Sequence, residues 1–145
     1  MRSDLVHSRS RAASVVFDVL DPIPFGFFVG ALIFDAIYAD SAEILWVKAA
    51  AWLIAIGLLF AIVPRLINLA RVWVFERGLR VRSEVAGFWL HLVAIVAAIL
   101  NAFVHSRDAY GVMPAGLWLS CLTVALLVLA KAMPALLPVR AGVAS

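Results

Sequence analysis

Five polar side chains interrupt stretches that are otherwise apolar, and their chemistry is what the sequence must account for: Asp35, Lys48, His91, Asn101 and His105. An ionisable group at membrane depth is costly, so it faces a partner or a wet cavity and marks a functional site by default. Asp35 and Lys48 lie at similar distances on either side of the Asp40–Glu43 turn. Two antiparallel helices would bring them to one depth, and the pattern predicts an Asp35–Lys48 ion pair that locks the hairpin. His91 and His105 are 14 residues apart in one apolar stretch. On a helix that spacing puts them about 21 Å apart along the axis and within about 40° of one face, which Asn101 and Ala98 share. Two histidines so arranged suit a bundle holding two stacked haems, provided that facing helices supply the other ligands. The remaining histidine, His7, stands in the N-terminal segment. No haem is therefore expected from one chain; His91 is expected to hydrogen-bond across the bundle, and His105 to sit at the outer interface beside Arg107 and Asp108.

Ser120, Cys121 and Thr123 occupy an aliphatic run, where hydroxyls can bond carbonyls of their own helix. A lone cysteine excludes a disulfide framework and a cysteine metal cage, so no metal site is expected. The sequence shows no pattern of a hydrolase triad, phosphate-binding glycine loop, metalloprotease helix or paired carboxylate. No catalytic residue is predicted, and the chain does not read as an enzyme.

The elements that position these residues follow from composition. Of 145 residues, 66% are apolar and 14% charged, with a mean hydropathy of +1.06. A soluble domain would need far more polar residues to cover its surface. A spanning helix needs about 20 mostly apolar residues, and four stretches qualify: 22–39, 44–63, 85–104 and 113–131. The fold class is all-α, a four-transmembrane-helix bundle in up-down-up-down order, forming one domain over residues 13–133. Residues 1–12 and 134–145 read as tails, and residues 14–21 as a short interfacial helix. A cleavable signal peptide competes for residues 22–39, but Pro22, Pro24, Asp35 and the length of the segment argue for retention.

The connection 64–84 carries Arg65, Arg71, Arg77, Arg80 and Arg82 and is expected on the cytoplasmic side, with the second helix continuing past Pro64. Arg65, Asn68 and Arg71 share one helix face, and basic juxtamembrane segments commonly contact anionic lipid. Ten of the twelve Lys and Arg residues fall on the side of this loop and of the two termini. By the positive-inside rule both termini are cytoplasmic. The net charge of +3 is then a topology signal, and no nucleic-acid partner is implied. Helix association in lipid depends on close packing, for which Gly26 and Gly30, Ala51 and Ala55, and Ala94, Ala98 and Ala102 supply small faces. The glycine face leaves a homo-oligomer or a membrane-protein partner open.

The phrase Asp21-Pro22-Ile23-Pro24-Phe25-Gly26-Phe27-Phe28-Val29-Gly30-Ala31-Leu32-Ile33-Phe34-Asp35, with the second hydrophobic span after it, resembles the bacterial inner-membrane proteins grouped as domain of unknown function family 2231. The resemblance covers residues 21–131. It implies a proline-rich opening of the first helix, an aspartate near its end and a third helix opening with histidine, matched by Asp35 and His91. Where the family commonly has His-Pro, this chain has Asp21-Pro22. The resemblance implies a multi-pass inner-membrane protein and supplies no reaction.

Three functions stand at this level. The first is a non-catalytic structural or accessory membrane subunit without cofactor. The second is a redox subunit linked to haem or quinone, in which His91, His105 or Asn101 touches a cofactor completed by another chain. The third is an oligomeric proton or small-solute pathway through Asp35, Lys48 and His105.

Overall fold

The computed structural model describes residues 19, 22–75 and 82–136, with side chains for all of these except 63–75, 82–85 and 134. The readings for the tails 1–12 and 137–145, the interfacial segment 14–21 and the side chains of the five arginines lie outside the described residues.

Four long α-helices and one short 3-10 turn make up the described chain, with no strand among them. Helix α1 spans Pro22–Ser41, α2 Ile44–Phe75, α3 Arg82–His105 and α4 Ala115–Leu136; the 3-10 turn Ala109–Gly111 lies between α3 and α4. Each helix contains a window long and apolar enough to cross a membrane: Pro22–Ser41, Ile44–Ile62, Ala86–His105 and Ala115–Met133. The protein is a multi-pass membrane protein by this architecture. The second helix continues past Pro64, as the sequence leads one to expect, and the connection 64–84 is shorter than its bounds suggest. Helix α2 runs through Pro64 to Phe75 and α3 begins at Arg82, so most of that connection is helical. A proline removes one backbone donor, a local loss that a long apolar helix tolerates.

Packing pairs join α1 with α2, α2 with α3, α3 with α4, and α4 back to α1. Each helix turns one stripe inward, and the stripes have the same period. Buried positions are 24, 28, 31, 35 and 38 on α1, 47, 50, 54 and 57 on α2, 94, 98, 101 and 105 on α3, and 116, 120, 123, 127 and 130 on α4, with 58 and 97 beside them. Steps alternating between three and four residues keep one seam facing the neighbours, as in left-handed helix packing. Small residues let the helices close: a Cβ on Gly57 would lie 3.1 Å from Phe27, and one on Gly30 would lie 3.0 Å from Leu53. The expected glycine face divides, because a Cβ on Gly26 would meet nothing within 4 Å. Large apolar side chains such as Trp52, Leu59, Phe103 and Trp118 point outward, where lipid is the fitting solvent.

Two apolar clusters fill the interior. One, around Phe28, Ala31, Ile54, Ala98 and Leu127, occupies the body of the bundle. The other, Tyr38, Val47 and Val112, caps the end that carries the α1–α2 turn and the 3-10 turn. Between them, one to two turns inside that end, lies a polar layer.

Candidate functional site: a buried Asp35–His105 cluster

Asp35 is fully buried on the inward stripe of α1, one turn beyond Ala31 and one before Tyr38. Its Oδ1 lies 2.8 Å from Nε2 of His105, the last residue of α3. Its Oδ2 accepts a hydrogen bond of 2.5 Å from the Ser120 hydroxyl on α4. Ser120 Oγ in turn accepts from Asn101 Nδ2 at 2.7 Å. His105 Nδ1 lies 3.0 Å from the Asn101 backbone oxygen one turn back in the same helix. A carbonyl only accepts, so this contact is a hydrogen bond when Nδ1 carries a hydrogen. Four side chains from three helices thus form one closed network. Its one unused buried group is Asn101 Oδ1, which has no partner.

The neighbouring backbone is shaped to admit the imidazole. A Cβ on Gly116, in the first turn of α4, would lie 3.0 Å from His105 Cε1 and 2.6 Å from Val112 Cγ1. Only glycine lets the start of α4 approach the ring this closely. Above the network, the Tyr38 hydroxyl donates to the Ala109 carbonyl at 2.9 Å and ties α1 to the 3-10 turn. Thr123 donates to Leu119 of its own helix at 2.8 Å, the local bond expected of a hydroxyl in an apolar helix.

Serine, histidine and aspartate meet here, but in an order unlike a hydrolase triad. In a triad the imidazole stands between the hydroxyl and the acid and takes the serine proton. Here the carboxyl group stands in the middle, between the hydroxyl and the imidazole. Ser120 therefore has no imidazole base, and its buried hydroxyl faces a carboxylate. The arrangement can hold protons and bind three helices together; it does not activate a nucleophile.

The structure corrects three sequence expectations. Asp35 pairs with His105 and not with Lys48, which lies on the exposed side of α2 four residues after its start. Val47 and Ala50 hold the inward positions there, so the ammonium is left where it can reach the membrane surface. His105 is not at the interface: its side chain is 1% exposed. The reason is the turn Ala109–Gly111 with Val112, which folds over the end of α3 and seals it. Arg107 and Asp108, expected beside it, are exposed. Ser120 is the residue that sequence reasoning left to local bonding. Its signal was the stripe: positions 116, 120, 123 and 127 repeat at four, three and four.

His91 lies elsewhere. It is half-buried near the other end of α3, and its Nδ1 lies 3.1 Å from the Gly87 carbonyl. It lines a cleft with Pro24, Phe28, Phe60 and Lys131, to which all four helices contribute. The two histidines of α3 thus share a face, as their spacing predicts, but belong to different sites. Among the described residues no group of three or more His, Cys, Asp or Glu side chains is placed to hold a metal ion.

Comparison of the chain with family models, curated proteins and solved structures gives no match.

Proposed function

We propose that this protein is a structural or accessory subunit of the bacterial inner membrane, without catalytic activity or a cofactor of its own. The observation that carries the reading is that the Asp35 cluster turns its hydrogen bonds on itself across three helices, between two apolar clusters, with Asn101 Oδ1 as its one unpaired buried acceptor. A site meant for substrate keeps an open side. In lipid, polar contacts of this kind hold helices in place where water exclusion cannot. The up-down-up-down order is supported by the packing of each helix on its chain neighbour and by the two-residue α1–α2 turn. Cytoplasmic termini follow from the distribution of basic residues, and they place the cluster near the outer face. Membership in domain of unknown function family 2231 belongs to the same proposal and rests on the phrase from Asp21 to Asp35. The bilayer, with anionic lipid at Arg65, Arg71, Arg77, Arg80 and Arg82, is the first partner; a second copy or another membrane protein packed on the open side of Gly26 is the next.

The test is the absorption spectrum of the protein purified in mild detergent from haem-supplemented cells, oxidised and reduced, together with its native mass. A colourless protein at a defined assembly mass is expected. A Soret band that shifts on reduction and disappears in His91→Ala would overturn the reading in favour of the redox subunit. His105 is a poor ligand for that role, since both its ring nitrogens are engaged. The contact between Asp35 and His105 gives the proton-pathway reading second place, with the two apolar clusters as the barriers that such a pathway would have to open.

A further inference from the structure

We propose that the Asp35–His105–Ser120–Asn101 cluster is a binding site for a single proton, and that the observed closure of α3 on α1 is its proton-bound state. The inference follows from counting hydrogens. His105 Nδ1–H is committed to the Asn101 carbonyl, and the Ser120 hydrogen is committed to Asp35 Oδ2. The 2.8 Å line between Nε2 and Oδ1 therefore needs a hydrogen of its own. It belongs either to an imidazolium facing a carboxylate or to a carboxylic acid facing a neutral imidazole. Both arrangements are neutral overall. Without this proton the ring has one hydrogen for two acceptors: two lone pairs face each other at Asp35 Oδ1 or, in the other tautomer, at the Asn101 carbonyl, and a net negative charge is left in the interior.

Among the described residues nothing else packed against the site carries a charge that can compensate. On α1, Tyr38 spends its hydroxyl on Ala109. On α4, Thr123 spends its hydroxyl on Leu119. Helix α2 contributes Val47, Ala50 and Ile54, and its Lys48 is exposed. Arg107 and Asp108, in the turn after α3, are exposed as well. A net charge buried in apolar surroundings is unfavourable, so loss of the proton weakens the closed cluster. Folding and proton binding are then linked through the hydrogen count: the closed site holds one hydrogen more than a separated carboxylate and neutral imidazole, so stability falls as pH rises where those are the forms of the separated groups.

The test is unfolding in detergent between about pH 7.5 and about pH 9, above the range in which an unfolded histidine titrates, for the wild type, Asp35→Asn and His91→Ala. An asparagine amide can donate to neutral Nε2 while its carbonyl accepts from Ser120, so the network survives with no proton to lose. The expected result is an unfolding constant that rises by up to about tenfold per pH unit in the wild type and in His91→Ala, and a flat profile in Asp35→Asn. A flat wild type, or an unchanged slope in Asp35→Asn, overturns the proposal. If Asp35→Asn does not fold, infrared difference spectra of the wild type across the same range decide: carboxyl and imidazole bands that change together support the site, and unchanged bands overturn it. The inference shares its cluster with the accessory-subunit reading but fails separately, because a flat pH profile leaves the helix contacts in place.

Discussion

The two histidines of α3 occupy one face of one helix, and each sets its Nδ1 near the carbonyl four residues before it. Their surroundings differ in every other respect. His105 is closed in by Gly116, Val112 and Asp35 and holds together three helices. His91 is half-buried at a cleft beside the exposed Lys131. The difference teaches that helical phase places a side chain on the inward face, but the residues at the same depth on the other helices decide what it does there. At the level of His105 those residues are an acid and a hydroxyl; at the level of His91 they are Pro24, Phe28, Phe60 and a lysine.

Replacing each histidine by alanine is the strongest way to break the comparison. His105→Ala leaves Asp35 buried without its partner and is expected to cost about 3–5 kcal/mol, the usual penalty for breaking a buried pair from one side. His91→Ala is expected to cost about 1 kcal/mol or less, since the side chain is only half-buried. Unfolding in detergent at one pH measures both, and equal losses would erase the distinction between a sealed and an open site.

The glycines next to each histidine sharpen it. Gly116→Ala forces a Cβ against Val112 and His105 and is expected to destabilise by about 1–3 kcal/mol, displacing the ring from Asp35. At Gly87 a Cβ would meet only the Ala130 carbonyl, at an ordinary 3.5 Å. Gly87→Ala is expected to be neutral or stabilising by up to about 1 kcal/mol, the helix preference of alanine over glycine. A histidine ring-proton spectrum of each variant reports whether the imidazole has moved.

The smallest effect concerns the acid's alternative partner. Lys48→Ala is expected to change stability by less than about 0.5 kcal/mol and to add simply to the effect of an Asp35 substitution. A double-mutant cycle measures this. A coupling above about 0.5 kcal/mol would restore Lys48 to the site.

What the sequence determined by itself is the set of helices and the inward faces. Four apolar runs of spanning length can satisfy their backbone only as helices, and composition alone establishes this. The shared face of His91, Ala98, Asn101 and His105 is likewise a matter of helical period, readable from numbers in the chain. For Asp35 the sequence pointed to Lys48, across a short turn, while His105 read as an interfacial residue beside Arg107 and Asp108. Tertiary structure made the choice. Val47 and Ala50 rotate Lys48 outward on α2, and the turn after α3 covers His105 and turns an interfacial residue into a buried one. Ser120 joined the site because α4 packs on both α1 and α3, with Gly116 allowing the approach. Rotation of one helix against another depends on the sizes of side chains that meet only after folding, and that is information no single helix carries.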